Sequence, residues 1–222
     1  MIKEGNKKSK LNILLSVIIA LILIIIVFEI IFGIMFKGIY VVQSSMCNTL
    51  IGATEEDKYG GDYVYVKLNA VPDYGDIAVV YKDEQTLYIK RVIAKGGDRV
   101  KIINGKLWIQ YADSEEFVAV EEDYVDPNNR QNPQRNNFPR DNGKVIEEGH
   151  LVKEGCMFLL GDNRDVSIDS RELGDFGYDR LYGVVTDWSV EHKKGITAFY
   201  KFFHFDIPSF FGVNVKVKGI DG

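Results

Sequence analysis

The sequence predicts a mostly β protein, an antiparallel exterior domain attached to one N-terminal transmembrane α-helix, and three observations lead there. Residues 11–36 form an apolar run broken by little besides Asn12, Ser16 and Glu29. At about 1.5 Å per residue, that exceeds the roughly 20 residues needed to cross a bilayer. From Ile39 onward the pattern changes to short segments rich in β-branched and aromatic residues: IYVVQ, DYVYVKL, IAVVY, LYIKRVIA, VKIING with KLWIQY, MFLLGD and LYGVVTDWSV. Gly and Asp punctuate them at YGGD, DYGD, KGGD, INGK and LGDN, the signature of strands joined by tight turns. With 222 residues, 46% hydrophobic and 27% charged, the chain suffices for one moderate domain and an appendage.

Taken in order, residues 1–10 are a basic N-terminus in which Lys3, Lys7, Lys8 and Lys10 outweigh Glu4. By the positive-inside rule this end stays in the cytoplasm and residues 37–222 lie outside the cytoplasmic membrane. The apolar run of 11–36 ends in Ile34, Met35, Phe36 and Lys37, without the small residues of a cleavage site, so it reads as a retained anchor and not as a removed leader. The N-terminus contributes +3 and Glu29 −1 to a total of −5, which leaves −7 on the exterior part. An acidic domain gives no footing for nucleic acid. INGK between two apolar strands is a hairpin signal. Residues 126–143, DPNNRQNPQRNNFPRDNG, carry almost no apolar side chains and read as an exposed excursion away from the core. The aromatic tail after Trp188 reads as a last strand with core packing; its rival is an aromatic patch resting among lipid headgroups.

Chemistry concentrates in three places. Ser45, in QSSMCNTL, stands one short strand beyond the apolar run. Gln43 points to the same side by the strand period of two, so its amide and the Ser45 backbone N–H are candidate donors to an oxyanion. A serine nucleophile needs a base, and His150, His192 and His204 lie in segments without other catalytic features, which argues against a Ser-His-Asp triad. Lys90 is the alternative: Tyr88, Val92 and Ala94 share its strand face, and a lysine flanked by apolar groups either snorkels or is buried and partly neutral. GDNRDVSIDSR, residues 161–171, is the densest polar run between apolar strands. Counted from Asp165 as a calcium loop, it has Ser170 at position 6 where glycine belongs and Phe176 at position 12 where glutamate belongs, so a brace of carboxylates and arginines fits better. Cys47 and Cys156 are too few for a disulfide scaffold or a zinc cluster, and no metal site is expected.

Together SSMCNTL, GGDYVYVK, YIKRVIAKGGDRV and LGDNRDVSIDSRELG, following an N-terminal anchor, resemble the type I signal peptidases, membrane-bound Ser/Lys proteases that remove signal peptides from exported proteins. The resemblance implies Ser45 as acyl-forming nucleophile, Lys90 as general base and Ser167 as the hydroxyl that holds the lysine amine. It implies Asp162, Asp169 and Arg171 as bracing residues, with Asp162 paired to Arg91. Met46, Tyr88 and Ile89 match positions that line substrate pockets. Precursors cut after Ala-x-Ala would be the substrates and the lipid bilayer a partner, with no cofactor. The sequence departs from the family pattern: Asn48 stands where proline is usual in SMxPTL, Gln43 where Gly or Ser is usual, and Cys47 and Val166 also differ from common choices, at more tolerant positions. Gln43 and Asn48 keep open an alternative, a specialised or non-catalytic membrane-anchored paralogue that binds exported chains.

Overall fold

The computed structural model describes residues 2–203. The chain divides into two compact units, Met1–Lys37 and Gly38–Gly222. The first is dominated by α1 (Ile2–Met35), whose stretch Leu11–Met35 has mean hydropathy 3.3 and no buried side chain, long and apolar enough to cross a membrane. Apolar residues cover every face of that stretch, as expected of a helix solvated by lipid and not by a protein core. Phe28, Phe32 and Phe36 fall at i, i+4 spacing and stack with ring centroids 5.9 and 4.8 Å apart.

The strands follow in chain order: β1 (Phe36–Tyr40), β2 (Tyr63–Leu68), β3 (Ile77–Tyr81), β4 (Leu87–Lys95), β5 (Arg99–Ile103), β6 (Lys106–Gln110), β7 (Val118–Val120), β8 (Arg140–Asp141), β9 (Lys144–Val145), β10 (His150–Leu151), β11 (Cys156–Leu160), β12 (Phe176–Gly177) and β13 (Leu181–Val185). Seven form one sheet in the order β1-β2-β13-β3-β4-β11-β12, four form a second in the order β10-β5-β6-β7, and β8 pairs with β9. The pairings from β2 through β13, β3, β4 and β11 to β12 are antiparallel, as are those of the second sheet. The mostly antiparallel architecture expected from alternation is therefore observed. The Asn104–Gly105 turn takes φ of 49° and 79°, the left-handed pair that a two-residue hairpin between right-twisted strands requires.

Alternating side chains of the large sheet divide the interior. Val41, Met46, Leu50, Val64, Val66, Ile77, Val79 and Val185 form one cluster. Ala78, Val80, Val92, Met157, Leu159 and Phe176 form another. A third joins Ile93 and Phe158 to the second sheet through Val100, Ile102, Leu107 and Ile109. The two middle strands β3 and β4 contribute to more than one cluster, so residues on them are held from both faces.

The structure corrects three expectations. The end of LYGVVTDWSV leaves the sheet after Val185 and becomes α3 (Asp187–Glu191). The beginning of the tail is α4 (Lys193–Lys201) and not a strand. Ile196, Phe199, Tyr200 and Phe203 repeat at i, i+3, i+4 and i+7, a helical period that aromatic content masks in the sequence. Thr197 of α4 accepts the Tyr63 N–H at 2.8 Å, and Tyr200 stacks on Tyr63 at 3.9 Å, which docks the helix on β2. Phe205, Phe210 and Phe211 lie outside the described residues. Finally, residues 126–143 are largely exposed or half-buried, as expected, yet they are not wholly away from the core: Asn136 is buried, Phe138 packs against the core, and Phe138 and Ile102 exchange backbone hydrogen bonds of 2.9 and 2.7 Å. Polar side chains satisfy this segment in place of apolar ones, which is why hydropathy alone misplaced it.

Candidate active site

Ser45 sits in a turn that follows β1, half-buried, on a cleft of about 240 Å³ lined by Gln43, Ser44, Ser45, Tyr88, Lys90, Val166 and Ile168. Lys90 comes from the centre of β4, opposite Ala78 on β3, and its side chain crosses toward the turn. Its Nζ lies 2.8 Å from Ser45 Oγ and 2.9 Å from the Ile89 carbonyl oxygen, with the Tyr88 ring 5.0 Å away. The residue is only 3% exposed, and burial lowers its pKa from 10.5 to about 8, against the opposite pull of the Asp169 and Asp162 carboxylates. A larger, mainly apolar cavity of about 480 Å³ lies beside α4, lined by Tyr63, Tyr65, Ile196, Phe199, Tyr200 and others. It holds no nucleophile–base pair, so the smaller cleft is the candidate for chemistry.

The loop of residues 161–171, between β11 and α2 (Ser170–Leu173), packs against the Ser45 turn. Asn163 N–H donates to the Ser45 carbonyl at 3.0 Å and Asn163 Nδ2 to the Ser44 carbonyl at 3.2 Å. Gly161 permits the approach: a Cβ there would stand 2.1 Å from Ser167 Oγ and 2.5 Å from the Ser45 carbonyl oxygen. These two oxygens are therefore within about 5 Å of each other. Ser167 Oγ is buried and has no hydrogen-bond partner among the described residues, and Lys90 Nζ makes its contacts with Ser45 and Ile89 instead.

The bracing residues are brought together. Arg91 grips Asp162 through two parallel bonds of 2.9 and 2.6 Å and donates to the Gly75 carbonyl at 2.7 Å. Thr49 Oγ1 donates to the same Asp162 at 2.5 Å, which links the Ser45 turn to the strand of Lys90 and Arg91. Asp169 caps α2 in a capping box with Glu172 and accepts from Arg171 Nε and Gly161 N–H. Arg171 also donates to the carbonyls of Arg135 and Arg164.

Of the expected pocket residues, Tyr88 lines the cleft, whereas Met46 is 1% exposed inside the core and Ile89 packs against the same cluster. Gln43 lines the cleft, is exposed, and adopts φ of 65°, a left-handed conformation uncommon for a residue with a side chain. Cys47 and Cys156 are both free thiols. The Cys47–Asn48 peptide bond is cis.

Sequence reading missed Glu122, Tyr124 and Arg164. Arg164 is fully buried and pairs with Glu122 through both terminal guanidinium nitrogens, one at 3.0 Å. The Tyr124 ring lies 3.9 Å from the Arg91 guanidinium, and its hydroxyl donates to Glu122 at 2.8 Å. Arg164 was at least within a polar run; Glu122, in the plain acidic stretch VEEDY, had no distinguishing signal. Val166 and Ile168, exposed apolar walls of the cleft, were also missed.

A family model described as signal peptidase, peptidase S26 matches residues 12–188. Signal peptidase IB of Staphylococcus aureus is 28% identical over 118 residues, which are 50% of this chain and 58% of the relative's length. A chloroplastic thylakoidal processing peptidase of Arabidopsis thaliana is 31% identical over 98 residues, 44% of this chain and 21% of its own. A crystal structure of a signal peptidase I from Enterococcus faecalis covers 53% of this chain and 98% of its own, with a TM-score of 0.40 and 29% identity. Because the family model spans the turn of Ser45, the strand of Lys90 and the loop of residues 161–171 alike, the chain belongs to the signal peptidase family, peptidase S26.

Proposed function

We propose that the protein is a membrane-anchored serine endopeptidase that removes signal peptides from exported precursors, with Ser45 as nucleophile and Lys90 as general base. The observation that carries the reading is the buried Lys90 Nζ, 2.8 Å from Ser45 Oγ at the edge of an open cleft. An amine with a pKa near 8 is partly neutral at physiological pH, and only the neutral form has a lone pair for the hydroxyl proton.

In that mechanism neutral Lys90 takes the proton of Ser45 Oγ as the oxygen attacks the scissile carbonyl. The negative oxygen formed is met by the Ser45 N–H, for which no acceptor is present among the described residues, and by the amide of Gln43, which lines the same cleft. Charged Lys90 then protonates the leaving amine, which departs as the new N-terminus of the mature protein. A water passes its proton to the regenerated amine and attacks the ester, the signal peptide leaves with a carboxylate, and Ser45 recovers its proton. The unpartnered buried hydroxyl of Ser167 supports its assignment as an acceptor for a Lys90 N–H. The small cleft with Tyr88, Val166 and Ile168 as walls favours short side chains such as alanine next to the cut. The lysines at 3, 7, 8 and 10 favour an exterior location for the domain that starts at Gly38.

The test is cleavage of a precursor bearing an Ala-x-Ala signal sequence by the full chain in detergent, beside Ser45→Ala and Lys90→Ala. Cutting after the last alanine that both substitutions abolish is expected. A folded wild-type chain that cuts nothing, or a Lys90→Ala variant that still cuts, overturns the assignment.

A further inference from the structure

Between β7 and β8 the chain makes an unusual set of contacts, because residues 122–136 bind both loops that build the cleft. Toward the nucleophile turn, Asn48 Nδ2 donates to Asp126 Oδ2 at 3.0 Å, and Asn129 Nδ2 donates to the Cys47 carbonyl at 3.5 Å. Asp126 is itself held, because its Oδ1 accepts the Asn128 N–H at 2.8 Å as the cap of a short 3₁₀ turn that opens with Pro127. Toward the loop of residues 161–171 the contacts are heavier. Asp165 accepts the N–H groups of Gln131 and Asn132 at 2.8 and 3.0 Å, and Asn136 Nδ2 at 3.0 Å. Arg135 donates to the Ser167 carbonyl, and buried Glu122 receives Arg164.

We propose that residues 122–136 act as a strap that sets the distance between the Ser45 turn and the Ser167 loop, and that Asn48 and Asp126 are positioning residues for the Ser45 hydroxyl. The inference rests on the dyad reading above for its kinetic consequence, though not for its structural one. The end of the strap at Asp165 and Glu122 is fixed by charged and buried partners; the end at the nucleophile turn depends on two side-chain bonds. Asn48 lies three residues after Ser45, so loss of its bond frees the part of the turn that orients the hydroxyl toward Lys90. The departure from proline at position 48 thereby gains a role: proline has no side-chain donor to reach Asp126, whereas asparagine does.

The experiment compares full-length wild type, Asn48→Ala, Asp126→Ala, the double variant and Asp126→Asn in detergent. It reads kcat and KM on a precursor and hydrogen exchange of the Cys47 and Leu50 amides, both of which are hydrogen-bonded within the turn. Each single alanine variant should lower kcat about three- to tenfold at nearly constant KM, the scale of one lost side-chain hydrogen bond. The same variants should exchange faster at Cys47 and Leu50, the double variant should be no worse than either single, and Asp126→Asn, which keeps one of the two acceptor oxygens used by Asn48 and Asn128, should recover only part of the rate lost in Asp126→Ala. Unchanged exchange in the single variants, or losses that add in the double variant, overturns the strap. If wild type cuts no precursor, the dyad reading fails, and the exchange measurement alone still decides whether Asp126 holds the turn.

Discussion

At Lys90 two effects oppose each other, and burial wins. Asp162 and Asp169 pull its pKa up, yet desolvation takes it from 10.5 down to about 8. The neutral fraction therefore climbs as pH rises through about 8, and kcat/KM should climb with it, being roughly a tenth of its plateau at pH 7. A rate that is flat from pH 6 to 9 is incompatible with this lysine as the base. The same shift has a consequence for stability. Between about 8 and 10.5 the unfolded chain binds the proton that the folded chain releases, so stability from this group increases with pH across that window. Below about 8 the folded state bears the whole cost of a buried charge, on the order of 3 kcal/mol. Lys90→Met should accordingly be inactive, yet melt no lower than wild type at pH 7, with the difference shrinking as pH approaches 10.5. Gly161 is a second single-residue dependency. A methyl group there meets Ser167 Oγ and the Ser45 carbonyl, so Gly161→Ala should separate the two loops and lower kcat by more than about tenfold while the protein remains folded. Normal turnover by a folded Gly161→Ala chain would show that the loops tolerate separation.

At the scale of elements, β4 presents consecutive residues to opposite sides and gives each a different task. Lys90 reaches the cleft, while Arg91 reaches Asp162 at the base of the loop after β11. Leu160 and Arg91 are register partners, so the pairing of β4 with β11 delivers the guanidinium to the carboxylate two residues beyond. Breaking that pair from one side leaves a largely buried cation without its anion. Asp162→Ala should therefore cost about 3–5 kcal/mol in denaturant unfolding, well above the cost of Asp73→Ala in the solvent-screened Lys95–Asp73 pair. Equal costs for the two would mean that Asp162 is compensated by water. The β4 strand, its alternation and its lysine were legible from residues 86–94, because a period of two is local information. The strap was not, since its meaning resides in Asp165 and Asn48, which lie 29 to 78 residues away from the backbone groups and side chains they bind. Likewise α4 escaped because only four positions, Ile196, Phe199, Tyr200 and Phe203, carry its period, and Thr197 finds its partner on β2 across 134 residues.

For the whole molecule, every residue of the three core clusters belongs to the unit that begins at Gly38. A chain that starts at Gly38 should thus fold without α1 and melt cooperatively within about 5 °C of the full chain; loss of the cooperative transition would show that the helix contributes to the core. Among the described residues Phe199, Phe202 and Phe203 are at least 48% exposed on and just after α4, beside the apolar cavity, so the aromatic tail is not consumed by core packing there. The sequence alone determined an N-terminal helix long and apolar enough to cross a membrane, the antiparallel β architecture, the Asn104–Gly105 hairpin and Ser45 and Lys90 as a candidate pair. Each of these depends on contiguous hydropathy, a short period or a compact motif. Only the tertiary structure decided that Nζ and Oγ stand at hydrogen-bond distance, that Met46 packs inward, that the Ser167 hydroxyl has no hydrogen-bond partner among the described residues, and that an Asn- and Pro-rich segment contacts both cleft loops. Those outcomes depend on distances between residues remote in the chain, set by strand register and by the desolvation of particular polar groups, and no local pattern encodes them.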